Sequence, residues 1–163
     1  MMTDRDLRNQ FDRHTAVWED CSIGYAFLAT PQGTDPVANL GDLLARPIEL
    51  EVFPWLDESR VSVQCPPGGF FFVEKAEFTA SFAWLVRSLA MEQSEEEIPE
   101  SALGILVDAF ISEFHEPAFF TNFGSDHDGQ FPPGFRRVND GLSLCMGAID
   151  MQRVGIWIFE LPD

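Results

Sequence analysis

LSLCMGAIDMQRVGIWIFEL, residues 142–161, reads as a β-hairpin: two runs rich in Ile, Trp and Phe, 142–149 and 154–161, flank a polar connection at 150–153. Two helical patterns lie upstream of it. Between residues 76 and 91, Phe78, Phe82, Leu85, Val86 and Leu89 fall on one stripe, while Ala80, Ala83 and Trp84 leave a narrow polar edge, so this helix is expected to be mostly buried. Ser94 and Glu97 have capping-box spacing and Pro99 suits a first helical turn. Leu103, Leu106, Val107, Phe110, Ile111 and Phe114 then give the apolar face of a second helix that Pro117 ends.

Nearer the N-terminus the period changes. Residues 48–51 read as a strand with one wet face, Val61 and Val63 alternate with Ser62 and Gln64, and Pro66-Pro67-Gly68-Gly69 turns the chain into a third strand at 70–73. These three are expected to form a meander. Before them, residues 23–30 form a short apolar run bounded by Pro31 and Gly33, which suits a buried strand. Leu7, Phe11, His14 and Trp18 mark an amphipathic first helix, with Thr3 and Asp6 as its cap. Residues 119–135 are dense in Asn, Gly, Asp and Pro and are expected to be a long loop.

Strands precede the helix pair and a hairpin follows it, without the regular βαβα alternation of a doubly wound fold. The predicted class is therefore α+β: an antiparallel sheet made of the meander and the C-terminal hairpin, with about three helices packed on one face. The length of 163 residues fits a single globular domain spanning residues 1–163. A hydrophobic fraction of 45% with 16 phenylalanines argues for a folded chain despite a formal net charge of -17.

No stretch reaches the roughly 18 apolar residues of a membrane span, and residues 1–13 mix Asp with Arg where a secretory leader would carry a basic head and an apolar run. A cytoplasmic location is expected, with no membrane partner. Cys21, Cys65 and Cys145 are odd in number, far apart and never in a C-x-x-C pair, so they are expected to be buried free thiols.

The charge pattern carries the most functional information. Between Arg87 and Arg136 there is no Lys or Arg, while Glu92, Glu95, Glu96, Glu97, Glu100, Asp108, Glu113, Glu116, Asp126 and Asp128 all fall there. Uncompensated acids in one stretch create a negative field that steers a basic partner, although a charge run also serves as a plain solvated surface. Direct nucleic-acid binding is disfavoured, because 10 Lys plus Arg against 27 Asp plus Glu cannot supply the phosphate neutralisation on which such binding depends.

Catalytic templates fit poorly. His115-Glu116 and Asp126-His127-Asp128 gather imidazoles and carboxylates, yet the H-E-x-x-H spacing fails at Phe119 and the loop lacks the Gly and distal Glu of a calcium site. Ser143 lacks the G-x-S-x-G elbow, and prolines strip the donors that Pro66-Pro67-Gly68-Gly69 would need to cradle phosphate. Phe119, Phe120, Phe123, Phe131 and Phe135 are expected to be core, with an aromatic anchor set beside the acidic patch as the alternative.

The expectation is thus a non-enzymatic acidic binding protein without metal or cofactor, of the immunity or inhibitor kind found in bacteria and phages. Its partner would be a basic toxin, nuclease or nucleic-acid-binding protein, met by Glu95, Glu96, Glu97, Glu100, Asp108, Glu113, Glu116, Asp126 and Asp128. Two alternatives stand beside it. One is a small metal-dependent hydrolase using His115, Glu116, Asp126, His127 and Asp128. The other is an assembly subunit that pairs through a hairpin edge near residues 156–159.

Overall fold

The structure is a computed structural model and describes residues 22–33, 35–49, 51–52, 60–61, 63, 65, 68–91, 100–123 and 143–160. The helix expected around Leu7 to Trp18 lies outside the described residues. Strands β1 (Ser22–Ala29), β2 (Ile48–Glu49), β3 (Glu51–Val52), β4 (Arg60–Val61), β5 (Phe71–Val73), β6 (Ala118–Thr121), β7 (Ser143–Ile149) and β8 (Arg153–Glu160) combine with helices α1 (Leu40–Ala45), α2 (Lys75–Met91) and α3 (Glu100–Ile111). Six strands form one antiparallel sheet in the order β3-β1-β8-β7-β6-β5, and β2 pairs with β4 in a small second sheet. The class is α+β, as the sequence predicts, but the three described helices cover both faces of the large sheet and not one.

The hairpin β7–β8 is the middle of this sheet. Its register sets Leu144, Met146 and Ala148 opposite Phe159, Trp157 and Gly155, and β1 adds Tyr25 and Phe27 beside Trp157 and Gly155. Neighbouring residues on a strand point to opposite faces. Cys145, Ile149, Val154, Ile156 and Ile158 therefore line the other face, and both sets are buried except for the half-buried Phe27. A hairpin that is apolar on both faces needs a cover on each.

On the first face the cover is α2 and α3. Phe78, Phe82 and Leu85 of α2 and Leu106, Val107, Ala109 and Phe110 of α3 join Tyr25, Phe119, Phe123, Trp157 and Phe159 in one cluster. Aromatic contacts fix its geometry: Phe82 meets Trp157 edge-on at 4.8 Å, Phe78 lies 4.8 Å from Phe119, and Phe110 lies 5.5 Å from Trp157. Each ring removed from water at such a site contributes about 2–3 kcal/mol, so the two long helices are held by their aromatic stripes more than by helix propensity.

On the second face the cover is α1 with the small sheet: Leu40, Leu44, Ile48 and Val63 pack on Ala26, Phe120, Cys145, Val154, Ile156 and Ile158. The short helix α1 escapes a periodicity reading because six residues are too few to show a period: Leu40 and Leu44 are buried and Leu43 packs beside them. Asp35 prepares it: its Oδ1 accepts the Val37 N–H at 3.1 Å and its carbonyl accepts the Asn39 amide at 2.9 Å. The Val63 N–H donates to the Leu44 carbonyl at 2.9 Å and ties the small sheet to the helix.

Strand pairing corrects two sequence expectations. Residues 48–73 do contain strands but not a meander, since β5 leaves β4 and pairs with β6 through Phe71↔Thr121, Phe72↔Phe120 and Val73↔Phe119. The Gly68 and Gly69 turn, at φ +89 and +100, redirects the chain to the far end of the large sheet. The expected loop from residue 119 is also partly strand, because β6 occupies Ala118–Thr121 between β5 and β7. Turn formers begin only at Asn122.

Candidate functional site

Helix α3 turns Leu106, Val107, Ala109 and Phe110 into the core, so its outward row carries Gly104, Ile105 and Asp108. Asp108 is exposed, and Ile105 keeps 41% of its surface open. The helix then tightens, with Glu113 N–H to Phe110 carbonyl and Phe114 N–H to Ile111 carbonyl bonds at 3.2 and 3.1 Å, and it unwinds before Pro117. Glu116 follows, exposed and at φ +46, a left-handed conformation that costs a non-glycine residue about 1 kcal/mol or more.

Glu113 takes a different course. Its Oε2 accepts from Arg153 Nη1 at 2.9 Å, and its side chain is only 9% exposed. The acidic stretch has no base within it, yet the hairpin delivers one from 40 residues away. Of the expected partner-contacting acids, then, Asp108 and Glu116 face outward and Glu113 is engaged inward. Glu100 opens α3. Glu95, Glu96, Glu97, Asp126 and Asp128 lie outside the described residues.

His115 is exposed, and its backbone N–H donates to Asp150 Oδ2 at 2.8 Å. The other oxygen of Asp150 accepts the N–H groups of Gln152 at 2.7 Å and Arg153 at 2.9 Å, closing the β7–β8 turn. Thr30 at the end of β1 adds a bond from its hydroxyl to the Met151 carbonyl at 2.8 Å. Partial burial pushes the Asp150 carboxyl up, but the three N–H donors and the Arg153 charge outweigh it and hold it below the usual carboxylate range.

This predicts a stability term with a definite sign. A folded-state pKa below the unfolded value of about 3.9 contributes stability above that value, and the contribution is lost as pH falls through the folded pKa. Asp150→Ala is expected to cost about 1–2 kcal/mol at neutral pH by removing the acceptor of two turn N–H groups and of the His115 N–H. Urea midpoints taken between pH 7 and pH 2 should show the gap to the parent closing on the acid side. A gap that is constant with pH would refute the role of the carboxylate charge.

Among the described residues no group of three or more His, Cys, Asp or Glu is placed to hold a metal ion. Asp126, His127 and Asp128 of the hydrolase alternative lie outside the described residues. Cys145 is buried in β7, and burial pushes its thiol up, which disfavours the thiolate that a nucleophile needs. Cys65, expected to be buried, is exposed instead.

The chain matches no family model, no curated protein and no solved structure.

Phe119, Phe120 and Phe123 are core residues, not surface anchors, while Phe131 and Phe135 lie outside the described residues. The assembly edge expected near residues 156–159 is overturned as a location: β8 is hydrogen-bonded on both sides, by β1 and β7, and Ile156, Trp157, Ile158 and Phe159 are buried. Among the described residues the large apolar side chains left exposed are Val37, Phe71 and Phe72 on β5, Ile105 on α3, and Met151 in the β7–β8 turn. Ile105 follows the helical pattern of its neighbours, so its outward placement needed the exact helix phase. Among the described residues no helix is long and apolar enough to cross a membrane.

Proposed function

We infer that this chain is a non-enzymatic inhibitor of the immunity-protein kind, acting in the cytoplasm of a bacterium or of a phage-infected cell. It neutralises a basic toxin, nuclease or nucleic-acid-binding protein by covering the groove that would otherwise take phosphate. The observation that carries the reading is the outward row of α3, where Asp108 stands beside the exposed Ile105 within a stretch of acids free of Lys and Arg. An apolar side chain with a charged surround is the arrangement of an interface anchor and its rim. The net charge of -17 adds long-range attraction for a basic surface.

The test is capture. The chain, used as bait in a lysate of its native host, is expected to retain a basic protein and to inhibit that protein's action on nucleic acid. Glu96→Lys, Glu97→Lys and Glu100→Lys together should abolish capture, while the melting temperature moves little. Asp108→Lys should lower the association rate and its salt dependence. Capture that persists unchanged through the triple reversal would overturn the reading.

A further inference from the structure

β5 closes one end of the large sheet. One side of it pairs with β6, and among the described residues no strand pairs with the other side. Phe71 is 42% exposed and Phe72 47% exposed. Because adjacent strand residues point to opposite faces, each face of the sheet ends on an open ring. On one face the rings continue inward, with Phe72 at 6.4 Å and Phe70 at 5.4 Å from the buried Phe120. Sheet edges are commonly blunted by a charge, a proline or a bulge within the strand. Here the charges Glu74 and Lys75 stand beyond the strand, whose own residues are Phe71, Phe72 and Val73.

We propose that the outer edge of β5 takes up an extended segment of a basic polypeptide as an added strand. The outward backbone donors and acceptors of an edge repeat with the spacing of a strand, so their complement is another extended backbone, not a helix or a small molecule. Charge decides between a second copy and a foreign partner: two chains of net charge -17 repel, whereas a Lys- or Arg-bearing segment is attracted. An Arg set opposite Phe72 would lie beside an exposed ring suited to a cation–π contact, and an aliphatic residue there would extend the Phe72–Phe120 row. The inference concerns the sheet edge and stands independently of the α3 face.

The probe is a synthetic peptide alternating Val with Lys or Arg, compared with the same peptide N-methylated throughout, which keeps the charge and loses the backbone donors. Exchange of the Phe71, Phe72 and Val73 amides is followed by NMR on the labelled full chain. With free peptide at about ten times its Kd, the outward-facing amides are expected to exchange about tenfold more slowly. The methylated peptide should give no such protection, and Phe71→Thr with Phe72→Thr should weaken binding while leaving the far-ultraviolet spectrum unchanged. Equal binding of both peptides without protection at 71–73 overturns the proposal, because charge alone would then hold them. Protection that appears without peptide and grows with protein concentration overturns it too, in favour of a second copy. The Glu96, Glu97 and Glu100 reversal separates the two readings: partner capture that persists unchanged through it, with peptide protection retained at β5, removes the inhibitor reading and leaves this one.

Discussion

Gly155→Val is expected to destabilise the protein by about 3 kcal/mol, the upper end of the range for overpacking a closed core. Gly155 lies in β8 beneath the end of α3. A Cβ at that position would stand 2.6 Å from Phe114 Cζ and 2.8 Å from Phe110 Cε2, well inside van der Waals contact. Those rings cannot retreat freely, since Phe110 and Phe114 pack on each other at 5.3 Å and both contact Phe27, at 5.6 and 6.0 Å. The missing side chain is the slot that seats α3 on the sheet. At about 2–4 °C per kcal/mol for a chain of this length, the melting temperature should fall by roughly 10 °C. Near-ultraviolet circular dichroism should weaken as Trp157 loses its fixed neighbours. Because the clash is with side chains, Phe114→Leu should recover part of the loss in a double-mutant cycle. Absence of coupling between the two positions would refute this account.

Gly147 provides a contrast within the same hairpin. A Cβ there would run into the carbonyl oxygen of Gly155 as well as approach Phe120 Cζ at 2.7 Å. Trimming Phe120 relieves only the second contact. The sheet therefore uses two glycines for different ends, one to admit a helix and one to let neighbouring backbones approach.

How much of this was legible depended on whether the information was local. The stripes of α2 and α3 and the two runs of the hairpin are periodic within a single segment, and the structure places them at Lys75–Met91, Glu100–Ile111, Ser143–Ile149 and Arg153–Glu160. The partner of β5 was not legible, because β6 follows it only after both long helices, and a three-residue strand carries no register of its own. The second cover was legible in principle. A central hairpin apolar at both parities cannot leave one face wet, yet of the segments supplying that cover only the strands β2 and β4 stand out, since α1 is too short to show a helical period.

The same division runs through the candidate site. The acidic stretch is visible as composition, but whether a given acid faces solvent depends on helix phase and on what approaches in space. Glu113 and Asp108 are five residues apart on the same segment. One meets Arg153 from the hairpin, and the other faces outward. Asp150 illustrates a mixed case. Its bonds to Gln152 and Arg153 are the ordinary habit of an aspartate opening a turn, whereas its bond to the His115 N–H joins two distant segments.

Asn122→Leu is the second large effect, expected at about 2–3 kcal/mol, because it leaves a buried backbone donor without an acceptor. β6 ends at Thr121, paired with Met146, and the next pair would set residue 122 against Cys145. Asn122 keeps half of that pairing through its backbone, donating its N–H to the Cys145 carbonyl at 3.0 Å. The other half is carried by its side chain, whose Oδ1 accepts the Cys145 N–H at 2.8 Å. The chain can thus turn away while β7 loses nothing. Leucine has the same branched shape and no acceptor, and with both residues buried, water is not at hand to replace it. Asn122→Asp separates hydrogen bonding from charge, since it keeps an acceptor but buries a carboxyl group. Burial raises the folded-state pKa of such a group above its unfolded value, so the folded form binds the proton more tightly and stability is lost as pH rises through that window. Relative to Asn122→Leu, the aspartate variant should therefore gain stability as pH falls from 7 toward 4, as read from urea midpoints. Parallel pH profiles for the two variants would show that burial does not govern the ionisation of a carboxyl at this position, whereas an Asn122→Leu cost below about 0.5 kcal/mol would refute the role of the acceptor.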